Sequence, residues 1–470
     1  MLDLENIEKY RENNRIEAKK ATGGLPVSLW ETYSAFANTL GGVILLGVEE
    51  YSDKSLHPVD LTETEWMLKD FWEIINDPRR VSINILGSED VQVREIEGKR
   101  IIVINVPRAE RDEKPVYING DPVSGSYRRN GEGDYRCTYD EVQAMLRDSL
   151  ARTPDMAVLT EMDQSVFDSG SIRSYRSRLR AVSPDHGLCA LENQDFLLKL
   201  GATGRDSSGR IHPTAAGLLI FGREHEILRE FPAYFLEYRE KSESGEDISI
   251  VSSSGDWSGN LYDFFVKVSD RLEKDIFVPS GQSGGDSVRA ALKEALANCL
   301  VNADYYGKEG LAVVRDRDGI SFSNPGGFRM GIDAARREGV SDPRNTSLVR
   351  MFSLIGAGGS GGKGLSTIFR AWDSQGWSTP VIKEEFAPDR ITLSLSIGQE
   401  AHNSSKSPLE LRREAVIDYL TYCVSADDAE LSELLGIGIK ETEKLTAQLA
   451  AEGIIVADET GKGAGYRLKS

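Results

Sequence analysis

Two groups of residues have types and spacing suited to chemistry. Near the start, Glu12 is followed five positions later by Glu17 and two further by Lys19, and a second acidic pair, Glu49-Glu50, ends the next apolar run. Carboxylates that converge from separate segments can hold a hard divalent cation, which activates water and screens the charge of a phosphodiester. The same glutamates and lysine also read as a solvated face. Far downstream, Glu294, Asn298 and Asn302 recur every four residues, so a helix there would carry one carboxylate and two amides in a row among leucines and alanines. Asn324-Pro325-Gly326-Gly327 follows, and then Gly358-Gly359-Ser360-Gly361-Gly362-Lys363-Gly364 ahead of a helical stretch. Glycines admit close backbone approach, and the start of a helix offers N–H groups to an anion such as a nucleotide phosphate. A glycine-rich surface loop without a ligand is the alternative.

Composition narrows the choice. Cys137, Cys189, Cys299 and Cys423 lie far apart with no CxxC spacing, and the five histidines are scattered, so neither a zinc site nor a disulfide framework is indicated. Any metal would be bound by carboxylates. The net charge of -19 counts against broad electrostatic capture of DNA, so contact with nucleic acid must be local. The longest apolar runs, Val43 to Val48 and Ala215 to Phe221, fall far short of the roughly 20 residues that a bilayer span needs. With an acidic start and no secretory pattern, the expected location is cytoplasmic.

The elements that must position these residues suggest an α/β (α+β) multidomain chain, since 470 residues exceed what one core usually serves. Residues 1–150 form one α/β unit: a helix over Ser28–Asn38, a turn at Gly41-Gly42, strands at Val43–Val48, Val81–Leu86, Val91–Ile96 and Arg100–Val106, and a closing helix from Tyr139. Residues 151–210 read as a helical connector, with an amphipathic segment at Leu191–Leu200 and a loop over Gly201–Gly209. Residues 211–400 form a second α/β unit with strands at Gly217–Phe221, Ala233–Tyr238, Leu311–Arg315 and Ile391–Ile397 and a long helix at Ser287–Asp304. After a polar linker, residues 405–470 read as a winged helix-turn-helix: helices at Leu409–Leu420, Asp428–Leu435 and Lys440–Glu452, then a two-stranded wing. Lys440 and Lys444 could touch phosphates there. Glu441, Glu443 and Glu452 offset them, which leaves an interaction or dimerisation module as the other reading.

The first constellation resembles a known family. Glu12-x4-Glu17-x-Lys19, the run Ser34-Ala-Phe-Ala-Asn38-Thr-Leu-Gly41-Gly42, Gly47-Val48-Glu49-Glu50 and Tyr127-Arg128-Arg129-Asn130-Gly131 together resemble the Schlafen AlbA-like domain over most of residues 1–150. The resemblance implies metal-dependent cleavage of RNA, transfer RNA included. Glu12, Glu17 and Glu49, or failing that Glu50, would hold Mg2+ or Mn2+, Lys19 would lie near the phosphate, and Arg128 and Arg129 would contact nucleic acid. Ala18 departs from the family's usual phenylalanine. One lobe is present where mammalian Schlafens pair two, so a homodimer or higher homo-oligomer is expected to supply the second.

The second constellation, with Pro213–Gly222 and Asp342-Pro343-Arg344-Asn345, resembles over about residues 190–400 the bacterial proteins labelled RecG-like helicases or transcriptional regulators, whose C-terminal half is a degenerate GHKL ATPase. No P-loop occurs, so helicase activity is rejected. The resemblance implies ATP as ligand, with Glu294 activating water, Asn298 holding magnesium, Asn302 on the same face, and Gly326, Gly327, Gly359, Gly361 and Gly364 around the nucleotide. Asn324 stands where the fold has an aspartate that reads adenine, and Thr346 replaces a proline. The expected function is that of a nucleic-acid-binding regulatory or defence protein, acting on RNA or DNA, with endoribonuclease chemistry. The alternatives are a non-enzymatic, ATP-responsive transcriptional regulator and an assembly protein whose motifs are silent.

Overall fold

The computed structural model describes residues 7, 9–241, 247–275, 285–331, 339–358, 362–386, 388–397, 412–413, 415–417, 419–420, 426–435, 437–458 and 465–468. It divides into two compact units, Met1–Leu146 with His402–Ser470, and Arg147–Ala401.

The first lobe is built on a four-stranded sheet in the order β1-β2-β6-β5, with β1 (Ile16–Lys19), β2 (Gly42–Leu46), β5 (Val91–Ile96) and β6 (Lys99–Val106). β1 runs parallel to β2, with Glu17 opposite Ile44, and the other pairs are antiparallel. The apolar run of β2 is buried on both faces. Ile44 and Leu46 pack with the Leu29–Asn38 and Thr64–Ile75 helices, while Leu45 joins Ile16, Ile101 and Val103 on the far side. Period-two alternation therefore puts Ile16 and Ala18 in the second core and leaves Glu17 and Lys19 on the other face of β1.

The residues that carry the family resemblance work mainly as folding devices. Asn38 donates from Nδ2 to the carbonyls of Val116 and Tyr127, and its Oδ1 accepts from Val116 N–H. Ser34 Oγ donates to Val116 O and accepts from Tyr127 N–H, and Thr39 Oγ1 accepts from Arg129 N–H. Gly41 has φ of 74°, and a Cβ there would sit 2.7 Å from Val106 O. Three buried polar side chains thus hold β7 (Tyr127–Asn130) to the first helix. β7 pairs with β8 (Gly133–Arg136), and β3 (Val48–Glu50) pairs with β4 (Leu56–Pro58) beyond a left-handed Gly47.

The segment Val81–Leu86 is not a strand. Only Val81 bridges, to Ile118, because Tyr33 Oη takes the backbone N–H of Ile85 and donates to the carbonyl of Ile83.

The second unit carries a six-stranded sheet in the order β12-β11-β13-β14-β16-β15. Its strands are β11 (Leu236–Lys241), β12 (Asp247–Ser252), β13 (Leu311–Arg315), β14 (Gly319–Pro325), β15 (Val381–Phe386) and β16 (Asp389–Ser396). β11 and β13 are parallel and the other neighbours antiparallel. Helices Leu261–Asp275 and Gly285–Asn302 contribute to its core.

Residues expected to be a connector are part of that core, which includes Tyr175, Phe196 and Leu200. The expected loop at 201–209 contains β9 (Thr203–Arg205), paired with β10 (Ile211–Pro213). The expected strand at Gly217–Phe221 is a helix, Ala215–Phe221, opened by Thr214, whose Oγ1 accepts from Gly217 N–H. Every residue of that run is buried. A short, wholly apolar run has no face to mark its period, and the cap decides.

In the C-terminal part, helices Asp428–Leu435 and Ile439–Ala451 precede an antiparallel pair, β17 (Ile455–Asp458) with β18 (Gly465–Leu468), around a small core of Leu431, Leu445, Leu449 and Ile455. Of the helix expected over Leu409–Leu420, the described residues 412–413, 415–417 and 419–420 are helical, and Val416 and Leu420 join the same core.

Candidate carboxylate and nucleotide sites

In the first lobe, β1 and the segment before it bring Glu12 and Glu17 together. Glu12 Oε1 accepts from Ala18 N–H at 2.9 Å. Its carboxyl is pushed up to about 7, first by burial, then by the charge of Glu17, with Glu50 adding to it; the Ala18 N–H and the Arg129 charge act the other way. The third acid whose charge reaches Glu12 is therefore Glu50. Glu50 Oε2 accepts from Lys54 at 3.1 Å, while its Oε1 is buried with no hydrogen-bond partner. Glu49 instead meets Lys20 at 3.0 Å and is 38% exposed. Strand alternation sends the two adjacent glutamates to opposite sides.

Glu17 is held by two cations, with Oε1 at 2.7 Å from Lys19 Nζ and Oε2 at 2.8 Å from the Arg129 guanidinium. Arg129 is sealed in. Its guanidinium also meets Asp134 at 2.9 Å, donates to the carbonyls of Asn13 and Ile16, and lies over the Phe36 ring. It has no face for a phosphate, and Arg128 pairs with Glu141 at 3.3 Å. Among the described residues no three His, Cys, Asp or Glu side chains stand close enough to hold a metal ion as they are.

A pH dependence follows. The folded value for Glu12 lies above the ordinary 4.5, so between pH 7 and 4.5 the folded lobe binds a proton that the unfolded chain does not. Stability should then fall as pH rises through that window and level off above it. The full shift corresponds to about 3 kcal/mol, reduced by whatever part of the carboxylate reaches water. Glu12→Gln should flatten the profile and raise the melting temperature at pH 8, as thermal melts from pH 5 to 8 will show; an unchanged slope would place the titration elsewhere.

In the second unit, the Gly285–Asn302 helix, β14, β16, the segment around Ser341–Arg344 and the start of the Gly364–Ser374 helix enclose a cavity of about 150 Å³. Glu294, Asn298, Asn302, Asn324, Gly327 and Gly364 line it. A Cβ on Gly364 would lie 2.3 Å from Glu294 Oε1 and 2.7 Å from Asn298 Nδ2, so the helix start abuts the acid and the amide directly. Asn302 Nδ2 donates back to Asn298 O, and Asn324 Nδ2 to Pro325 O. Gly326 has φ of 92° and packs under Arg344. Gly362 O accepts from Gly339 N–H, which closes one side. The volume falls short of the ~300 Å³ at the lower end of small-molecule pockets, so a nucleotide enters only if that side gives way. Gly359 and Gly361 lie outside the described residues. Lys440 and Lys444 are exposed on the Ile439–Ala451 helix, where Glu441 pairs with Arg412.

The partner of Arg344, a residue of the cavity wall, carried no sequence signal. Arg344 makes a two-pronged pair with Asp148, at 2.9 and 2.7 Å, and donates to Asn302 O and Gly327 O. Burial raises the Asp148 carboxyl, but the charge and hydrogen bonds of Arg344 bring it below the usual range. Asp148 and Arg344 are almost two hundred positions apart, and only the fold joins them.

The family models that match this chain mark a nucleic-acid-related protein whose second unit has an ATPase-like region. Three family models match: Schlafen AlbA_2 over residues 12–138, a domain of unknown function (DUF8451) over 143–237, and the ATP-dependent DNA helicase recG C-terminal family over 311–393. The chain thus carries a Schlafen AlbA_2 domain and a region of the recG C-terminal family. No curated protein matches it. Among solved structures, a Corynebacterium diphtheriae protein is 17% identical, with 97% of this chain and 92% of that one covered and a TM-score of 0.41. The N-terminal domain of an ATP-dependent DNA helicase RecG-related protein from Nitrosomonas europaea is 32% identical, with 27% and 85% covered and a TM-score of 0.21. Among the described residues no helix is long and apolar enough to cross a membrane.

Proposed function

We propose that the first lobe binds RNA or DNA and cuts it at a divalent-metal site formed by Glu12, Glu17 and Glu50, in a regulatory or defence role. What supports this is the buried Glu12 carboxyl, which the charges of Glu17 and Glu50 both reach, together with one buried Glu50 oxygen that lacks a hydrogen-bond partner. A charge-rich cluster with an orphaned acceptor suits a cation, which would lower the repulsion that Glu12 now relieves by taking a proton. Glu12 and Glu50 would be the donors to Mg2+ or Mn2+, with Glu17 beside them and held by Lys19 and Arg129. When bound, the ion supplies activated water and screening of phosphate charge. Lys19, anchored on Glu17, is the cation placed to meet the substrate phosphate. Purified protein is to be incubated with transfer RNA and short DNA, with Mg2+ or Mn2+, with and without ATP, beside Glu12→Gln/Glu50→Gln. Cutting by the parent alone is expected; intact substrates in every condition would reject the catalytic reading.

The ATPase-like region is proposed to bind ATP as a switch, its phosphates against Gly364 and Asn298, the latter also holding the nucleotide's magnesium. Glycine at the helix start supports this, because a side chain at 364 would occupy the space between Glu294 and Asn298. Gly364→Ala should abolish nucleotide binding in calorimetry while the melting temperature holds.

A second reading, a non-enzymatic DNA-binding regulator, is favoured by the two C-terminal helices followed by the β17–β18 pair, with Lys440 and Lys444 exposed. It takes these elements as a winged helix, and a DNA footprint lost on deletion of residues 405–470 would support it. A cytoplasmic home is part of this proposal, and the exposed Ile248 and Ile250 on edge strand β12 accord with a homo-oligomer.

A further inference from the structure

The β3–β4 hairpin carries an arrangement that neither the carboxylate cluster nor the nucleotide cavity uses. Directly after Glu50, Tyr51 stacks on His57 with ring centroids 3.9 Å apart and planes 26° from parallel. Tyr51 is nonetheless 51% exposed. The stack is fixed from beneath: Ser55 Oγ lies 2.7 Å from His57 Nε2 and 2.5 Å from Asp53 Oδ1, and Tyr51 N–H donates to Ser55 O. Two long cations flank it. Lys54, at the turn, is half exposed and pairs with Glu50 and Glu132, and Lys20, also half exposed, pairs with Glu49, the cross-strand partner of His57.

We propose that the Tyr51–His57 stack is a platform for an unpaired nucleobase, so that the first lobe takes single-stranded nucleic acid beside Glu50. The proposal rests on the reading of this lobe as one that acts on nucleic acid, and it names the form of the substrate. An aromatic ring held rigid and half bare offers a π-face that any base can cover, and a base becomes available for this only when it is unpaired. Bases inside a duplex are already stacked on their neighbours. Lys20 and Lys54 offset the local acids and present ammonium groups to the phosphates on either side of the stacked base. Such a platform tolerates any sequence.

The test uses the full chain in EDTA, where no metal-dependent cutting occurs, and fluorescence anisotropy with labelled oligouridylate, oligothymidylate and a base-free strand of equal length. Tyr51→Ala should weaken binding of both base-bearing strands by about 5- to 150-fold, the range for one lost stacking contact. Tyr51→Trp should bind at least as well as the parent. The base-free strand should not distinguish parent from Tyr51→Ala. Loss on only one of the two base-bearing strands would support the platform and identify the sugar it accepts. Equal affinity of parent and Tyr51→Ala, no binding of single strands by the parent, or loss in Tyr51→Trp at an unchanged melting temperature would each overturn the proposal. The cleavage reading fails separately: binding lost in Tyr51→Ala without any cutting in Mg2+ leaves the platform and removes the nuclease, while cutting with unchanged binding does the reverse.

Discussion

Arg129→Ala should unfold the first lobe under conditions where the parent stays folded. The arginine is almost wholly buried and pairs with two carboxylates, Glu17 and Asp134, while its remaining donors reach the carbonyls of Asn13 and Ile16. Its removal leaves two acids and two carbonyl oxygens without their partner in a place that water does not reach. Removing one member of a buried ionic network costs about 3–5 kcal/mol, against a typical domain stability of about 5–15 kcal/mol. Arg129→Lys should recover only part of this, because one ammonium cannot replace a planar fork that serves four acceptors. Trp30, Trp66 and Trp72 all lie in this lobe, so its urea midpoint can be followed by fluorescence. A midpoint unchanged in Arg129→Ala would mean that the network is not closed as described. The assignment of this arginine to nucleic acid, expected from its place in the family motif, gives way to a structural role for the same reason.

Arg344→Ala should destabilise the second unit to a similar extent. The guanidinium is buried, its pKa raised well above the ordinary value: burial acts against the charge, and Asp148 outweighs burial. Without it, Asp148 keeps a buried negative charge, and the carbonyls of Asn302 and Gly327 lose their donor. The cost is again about 3–5 kcal/mol. The double variant Arg344→Met/Asp148→Leu should be milder than either single change, since it removes both charges and leaves apolar groups of similar reach. Chemical denaturation of the four proteins forms a double-mutant cycle, and simple additivity would refute the coupling. Because Arg344 lines the cavity of the second unit, the single variant should also lose whatever ligand that cavity takes.

Strong local signals survived folding unchanged. The helix after Ser28, the buried run of β2, the strand pair β5–β6 and the long Glu294 helix all appear where periodicity and caps put them. Two of the failures show why the rest was not legible. The run Gly217–Phe221 is apolar at every position, so nothing in it separates a strand from a helix, and a threonine hydroxyl just before it settled the matter. At Glu49 and Glu50 the residues are chemically identical neighbours, and which one faces Glu12 depends on how β3 pairs with β4 after the left-handed turn at Gly47.

From residue types and order alone, then, one could know that this protein has two α/β units and a helical tail, which family its motifs mark, and that acids near the start and a glycine-flanked polar helix face were the places to look. Only the tertiary structure decided that Arg129 is sealed inside, that Glu50 rather than Glu49 joins the acids, that Asp148 clasps Arg344, and that Tyr51 stands bare on His57. The reason is physical: spacing along a chain controls which residues share a helix or strand face, but burial and charge pairing arise between segments far apart in sequence, and those contacts exist only once the chain has folded.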